Sequence, residues 1–151
     1  MIYEVKGNLL SSSCDYICHQ VNCQGVMGAG LAAQIRTHWP NVYEEYKELC
    51  KEFIRNKSFL LGKILVSETK DTATKIVSLF AQDEYGRKGR YTSYEAFWSC
   101  LEVLHSILNP GDTIAFPKNI GCGLGGANWQ IIRTMIEEVL GDEFDVYIYE
   151  L

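Results

Sequence analysis

The sequence predicts an α/β layered domain with a largely parallel or mixed sheet, and three observations lead there. Strand-like and helix-like segments alternate along the chain, the order that packs helices against a sheet. Two glycine-rich segments, Gly25-Val26-Met27-Gly28-Ala29-Gly30 and Gly121-Cys122-Gly123-Leu124-Gly125-Gly126, each stand between a strand pattern and a helix pattern. Ligands of such sheets sit beyond the carboxyl ends of strands, where loops lead into helices, so both segments point to one rim. The length of 151 residues suits a single domain spanning residues 1–151. A domain of this size buries about two thirds of the surface of its unfolded chain and needs no metal or disulfide staple.

The elements follow in order. Ile2 to Lys6 reads as a short strand, and Tyr16 to Val21 as a β-rich run that ends at the first glycine segment. A helix pattern starts at Ala29, with Leu31, Ile35 and Trp39 four apart, and Pro40 breaks it. Val42, Tyr46, Leu49 and Phe53 form the stripe of a second helix. Its acidic face (Glu44, Glu45, Glu48, Glu52) reads as solvated surface. Lys63 to Ser67 and Lys75 to Phe80 read as strands, joined into a hairpin by a turn at Lys70-Asp71-Thr72-Ala73. Thr92 and Glu95 have the T-x-x-E spacing of a capping box, followed by the stripe Tyr94, Phe97, Leu101, Leu104 and Leu108. Pro110-Gly111-Asp112 is a turn and Thr113 to Phe116 a buried strand. A last helix carries Trp129, Ile132, Ile136 and Val139 on one face, with Gly141 as its C-cap, and Asp145 to Tyr149 is the final strand.

Apolar residues make up 47% and charged residues 22% of the chain, the ordinary globular range. A net charge of −5 argues against a generic nucleic-acid binder with a basic face. An anionic small molecule stays open, because backbone amides bind phosphate without side-chain charge. No apolar run approaches the roughly 20 residues of a membrane span, and the stretch from Met1 to Lys6 lacks the pattern of a signal peptide. The six cysteines include no CxxC pair and read as reduced thiols of a cytoplasmic, intracellular protein. His19, His38 and His105 show no ligand spacing with them, so no metal is expected. No cofactor is expected either, and the expected assembly is a monomer.

The glycine segments carry the chemistry. A phosphate brought against a backbone needs outward N–H groups and no Cβ in the way, which glycine provides, and a helix starting just after adds the positive end of its dipole. Either loop alone is also well described as a tight turn; two in the same strand–loop–helix context make a shared site the better reading. Gly121, Gly123 and Gly126 match G-x-G-x-x-G, but too little chain follows for a two-half dinucleotide domain. Neither loop has the G-x-x-x-x-G-K-[ST] form of a P-loop.

Three separated motifs, in order and across nearly the whole chain, resemble the macrodomain family. Val5-Lys6-Gly7-Asn8-Leu9-Leu10 resembles its opening, His19-Gln20-Val21-Asn22-Cys23-Gln24 running through Gly30-Leu31-Ala32 its first ligand loop, and Phe116-Pro117 through Gly126 to Trp129 its second. Within the family the chain is most similar to the subclass of the terminal ADP-ribose protein glycohydrolase and the yeast-type ADP-ribose-1″-phosphate phosphatase. The resemblance implies a three-layer α/β/α sandwich with a central mixed sheet and a ligand that is ADP-ribose or a derivative. It implies that Asn8, Leu9 and Leu10 lie near the adenine end. Asn22, Gln24, Gly25, Val26, Met27, Gly28, Ala29 and Gly30 would surround the distal ribose and a phosphate. Ile120, Gly121, Cys122, Gly123, Leu124 and Gly125 would cradle the diphosphate, with Gln82, Tyr91 and Pro117 completing the contacts. The chain departs from the glycohydrolase at two places: Gln82 stands where that enzyme has a lysine, and Gly125 where it has an aspartate.

The remaining candidates each have a plainer alternative. Residues 80–92 are read as a lid, with Asp83 or Glu84 as general base, or as a solvated loop. Tyr85 and Tyr91 would stack on the ligand or pack at an edge. Lys88 or Lys118 would replace the missing lysine. His19 is a proton-transfer candidate that reads more simply as a satisfied core or rim histidine, and Cys23 and Cys122 read as packing residues rather than nucleophiles. The leading functional expectation is binding of ADP-ribose and hydrolysis of a derivative, an ADP-ribosyl ester on a macromolecule or ADP-ribose-1″-phosphate. Glycine-loop amides would stabilise phosphate charge, and Asn22, Gln24 or Asp83 would place the attacking water. The alternatives are a non-catalytic ADP-ribose reader and a domain for another mononucleotide or phosphate.

Overall fold

Six strands form one mixed sheet: β1 (Ile2–Lys6), β2 (Tyr16–Asn22), β3 (Ile64–Glu68), β4 (Lys75–Gln82), β5 (Thr113–Pro117) and β6 (Asp145–Glu150). The computed structural model describes residues 1–86 and 89–151; Lys88, one of the two candidate lysines, lies outside the described residues. The spatial order is β1-β6-β5-β2-β4-β3. Every neighbouring pair is parallel except β3 with β4, the hairpin expected around Lys70 to Ala73.

Strand alternation divides the core into two layers, because successive side chains point to opposite faces. Val77, Leu79, Ile114, Phe116, Val146 and Ile148 pack on one face against α3 (Tyr94–Ile107) and α4 (Trp129–Ile136), chiefly on Phe97, Leu101, Leu104, Ile132 and Ile136. Ile17, Val21, Ile76, Phe80 and Ala115 pack on the other against α1 (Gly30–His38) and α2 (Pro40–Glu52), through Ile35, Val42, Tyr46 and Cys50. Both faces of the central strands are covered, as parallel sheets require, and the result is the three-layer α/β/α sandwich.

Pro40 occupies the first turn of α2, where its missing N–H costs nothing. The acidic face of that helix is exposed. Two capping assignments change. Ser93, not Thr92, caps α3: its side chain accepts from the Ala96 N–H at 3.1 Å, which frees Thr92 for contacts elsewhere. Gly141 is not a left-handed C-cap. α4 widens into a π-turn over Glu137–Gly141, and Gly141 is absent from the residues of positive φ.

Candidate functional site

The five parallel strands end on one rim, so the loops after β1, β2, β4, β5 and β6 share it. β2 and β5 are adjacent but pair only through Tyr16 with Ile114 and Ile17 with Ala115. Beyond those pairs the two strands no longer bond to each other, while β2 stays paired with β4 and β5 with β6 up to the glycine loops. The chain leaves β2 toward β3 and β4, then returns across it through α3 to β5. The gap between β2 and β5 is therefore the topological switch point, the place where open α/β sheets bind ligands.

The first loop is braced from beneath by Asn22 and Tyr46. Asn22 Oδ1 accepts from the Gln24 N–H at 2.9 Å, and its Nδ2 donates to the Val26 carbonyl at 2.9 Å. The Tyr46 hydroxyl lies 2.7 Å from the Asn22 carbonyl and 2.8 Å from its Oδ1, and accepts from the Gly25 N–H at 3.1 Å. Burial pushes the Tyr46 phenol far above its ordinary range, so it stays a proton donor. Past this brace, α1 begins at Gly30 (φ 56°) with Ala29 supplying no capping side chain. Among the described residues the N–H groups of Gly28, Ala29 and Gly30 have no acceptor. They form an uncapped helix start, the geometry that receives an anion.

The second loop turns through Asn119 (φ 65°), Gly121 (φ 74°) and Gly126 (φ 73°). Its internal bonds run from Cys122 N–H to Asn119 carbonyl (2.9 Å), Gly126 N–H to Gly123 carbonyl (3.1 Å) and Ala127 N–H to Gly121 carbonyl (2.9 Å). The amides of Gly123 and Leu124 have no acceptor among the described residues, and both residues are exposed. A Cβ at Gly123 would meet no heavy atom within 4 Å. The tip of the loop is thus open on its outer side, while its ends are tied down.

The loop after β4 joins the other two. Gln24 Nε2 donates to Asp83 Oδ1 and to the Asp83 carbonyl, each at 3.2 Å. The Ser58 hydroxyl donates to Asp83 Oδ2 at 2.8 Å, and the Lys57 ammonium donates to Gln24 Oε1 at 3.3 Å. Asp83 therefore clasps the first loop while keeping acceptor capacity, since a carboxylate offers about four lone-pair sites. Gln82 is likewise committed: its Oε1 accepts from Gln20 Nε2 and its Nε2 donates to the Glu84 carbonyl, both at 2.8 Å.

The expected contacts divide by what they can offer. Leu9, Met27 and Ile120 are buried core residues, so they can meet a ligand only through their backbone. Asn8 sits at the exposed end of β1, where its Oδ1 accepts from the Leu10 N–H at 3.0 Å. Leu10, Tyr91, Pro117 and Cys122 are half-buried, and Val26 is exposed. Gly125 is buried against Thr92. Lys118 is paired with Glu150 at 2.7 Å, and that carboxylate's hydrogen bond raises its amine above the usual value.

His19 is fully inside, with Nε2 at 2.8 Å from Ser78 Oγ. Burial lowers its pKa to about 4, which makes it a neutral core residue rather than an acid–base group of the rim. Its Nδ1 is buried without a partner among the described residues. Burial, with the Asp83 charge behind it, pushes the Cys23 thiol up to about 12, and burial raises Cys122 as well. Both are protonated near neutrality and so are poor nucleophiles. Among the described residues no group of His, Cys, Asp and Glu is placed to hold a metal ion.

Sequence reading had no signal for Tyr46 beyond its place on a buried stripe, and none for Ser58 or Lys57. Gln20 was findable as a long polar residue inside an apolar strand.

Comparison with known proteins places these loops in a family. The chain is 33% identical over 96 residues to an ADP-ribose 1″-phosphate phosphatase of Meyerozyma guilliermondii, an alignment covering 56% of this chain and 55% of that protein. It is 27% identical over 154 residues to a DNA ADP-ribosyl glycohydrolase of Thermus aquaticus, covering 99% of this chain but 41% of that protein. The chain thus spans only about half or less of the length of these two relatives. The solved macrodomain of Thermus aquaticus DarG superposes with a TM-score of 0.80 at 25% identity, over 100% of this chain and 99% of that one. The Macro domain model itself matches residues 18–136, a stretch that takes in both glycine loops and the strands and helices that hold them, and this chain accordingly belongs to the Macro domain family.

Proposed function

We propose that this chain binds ADP-ribose and hydrolyses a derivative of it, an ADP-ribosyl ester on a macromolecule or ADP-ribose-1″-phosphate. One observation carries the proposal: two glycine loops follow the adjacent strands β2 and β5, and the amides of Gly28 to Gly30 and of Gly123 and Leu124 have no acceptor among the described residues. Two sets of amides on one rim suit a diphosphate joining two nucleoside-like ends, with Asn8 and Leu10 toward the adenine end. The names of relatives aligned with the chain support the same ligand class.

For hydrolysis, the bound nucleotide supplies orientation and the amides stabilise charge on phosphate. Asp83 is the acceptor best placed to hold the attacking water, with two lone-pair sites beyond those used by Gln24 and Ser58. Asn22 and Gln24 act by shaping the loop that holds the distal ribose. A non-catalytic reader is the second reading, favoured by the hydrogen bonds that already engage Asn22, Gln24, Gln82 and Asp83. In both readings the protein works as a cytoplasmic monomer without a metal, a reading in keeping with six unpaired cysteines, five of them buried.

Titration calorimetry with ADP-ribose tests the shared claim: saturable binding to one site is expected, and no heat at millimolar ligand removes both readings. Incubation with ADP-ribose-1″-phosphate and with an ADP-ribosylated macromolecule then separates them. Release of ADP-ribose or phosphate is expected; tight binding with neither substrate turned over leaves the reader.

A further inference from the structure

One buried side chain ties the second glycine loop to the sheet. Thr92 is 2% exposed. Its hydroxyl accepts from Gln20 Nε2 at 2.7 Å and donates to the Gly121 carbonyl at 2.8 Å. Its backbone N–H donates to the Gly125 carbonyl at 2.9 Å, beside that of Tyr91 at 2.8 Å. Thr92 also forms an antiparallel bridge with Gln82 at the end of β4, and Gln20 Nε2 reaches Gln82 as well as Thr92. One residue therefore holds both ends of the segment from Gly121 to Gly125 against β2 and β4.

The glycines on either side of this contact leave no room for play. A Cβ at Gly125 would run into Thr92 Oγ1 and would stand 2.5 Å from the Gly121 carbonyl oxygen. A Cβ at Gly121 would stand 2.7 Å from Gln20 Oε1 and 3.1 Å from Thr92 Oγ1. The loop is thus clamped at its two ends and open at its tip, where the Gly123 and Leu124 amides have no acceptor among the described residues. A glycine-rich segment has more backbone freedom to lose than any other. Ordering it before the ligand arrives removes that cost from the binding step.

We propose that Thr92 is a positioning residue for the ligand's diphosphate: buried and without ligand contact of its own, it sets affinity by pre-ordering the amides of Gly123 and Leu124. The proposal rests on the ADP-ribose reading for its ligand, but the clamp itself can be tested without one. Thr92→Val keeps the side chain's shape and removes both hydroxyl bonds, while Thr92→Ser keeps the bonds. Hydrogen exchange in the free protein should show faster exchange over residues 121–127 in Thr92→Val and near-native exchange in Thr92→Ser. ADP-ribose affinity should fall about tenfold in Thr92→Val and recover in Thr92→Ser. Affinity for adenosine, which has no phosphate, should be unchanged in both.

Unchanged exchange in folded Thr92→Val overturns the clamp. Equal losses for ADP-ribose and adenosine overturn the positioning role in favour of general damage. Should Thr92→Val fail to fold, Thr92→Cys, which puts a weakly hydrogen-bonding thiol in place of the hydroxyl, must show the same exchange and selectivity change, and a native-like profile there overturns the proposal. Wild-type protein that binds no ADP-ribose defeats the functional reading, while the exchange result still decides the clamp.

Discussion

The side-chain amide of Gln24 donates to the carboxylate of Asp83 across 3.2 Å, joining the loop after β2 to the loop after β4. The contact makes Asp83 both a clasp and a candidate water holder, and the two roles separate on substitution. Asp83→Asn keeps the shape and removes the charge. ADP-ribose affinity is expected to stay within about threefold of wild type, while hydrolysis falls by about 100-fold, the low end for a lost general base. Steady-state rates beside calorimetric affinities check this. An unchanged rate removes Asp83 from the reaction.

Gly123 and Gly125, two residues apart, should differ in what substitution does to stability. At Gly123 the space around an added Cβ is empty, so Gly123→Val should leave urea unfolding within about 0.5 kcal/mol of wild type. It should still weaken ADP-ribose binding by tenfold or more, about 1.4 kcal/mol, by standing where phosphate approaches. Native affinity in the folded variant would refute the cradle at this tip.

Gly125→Ala should lose the stability that Gly123→Val keeps. The methyl group would press on the Gly121 carbonyl and Thr92, and such overpacking costs about 1–3 kcal/mol. Chemical denaturation reads it directly. The same contact means that Gly125→Asp does not install an acid in an otherwise intact loop: it should lose stability and ligand affinity together.

Tyr46→Phe removes the hydroxyl that serves Asn22 and the Gly25 N–H. A buried donor left unsatisfied costs about 1–3 kcal/mol. The first loop should also loosen, with ADP-ribose affinity down about fivefold, near 1 kcal/mol. A thermal melt and a titration of the same sample check both.

His19 gives the fold an acid-sensitive element. Its folded pKa is lowered from 6.5 to about 4 by burial, so the unfolded chain takes up the proton first as pH falls. Stability is therefore full above pH 6.5 and declines through the window down to about 4. The total from this one group is about 3 kcal/mol at 1.36 kcal/mol per unit. Stability measured by urea at pH 7 and pH 4.5 should lose less in His19→Gln than in wild type. Identical pH slopes would remove His19 as the source.

Much of the fold was legible in the sequence because it is written in local rules. The strands ran one residue past their expected ends at Asn22, Pro117 and Glu150 and two past at Gln82, and the hairpin fell where the turn residues stood. The cap of α3 was misplaced by one residue. Thr92 and Ser93 both have a capping hydroxyl, and only the approach of Gln20 and Gly121 decides which one is free to cap.

The site divides the same way. By itself the sequence determined that two glycine loops lie at strand ends before helices, and that the chain carries the motifs of its family. Those are properties of residue type and spacing, and the glycines' missing side chains are needed wherever the loops end up. Only the tertiary structure decided that β5 lies beside β2, since strand order depends on how α3 crosses the sheet. It also decided that Asp83 and Gln82 are engaged by hydrogen bonds and that Gly125 is buried against Thr92. The bonds from Gln24 to Asp83 and from Gln20 to Gln82 span 59 and 62 positions, Thr92 and Gly125 also meet from separate segments of the chain, and no local pattern encodes a partner at such separations.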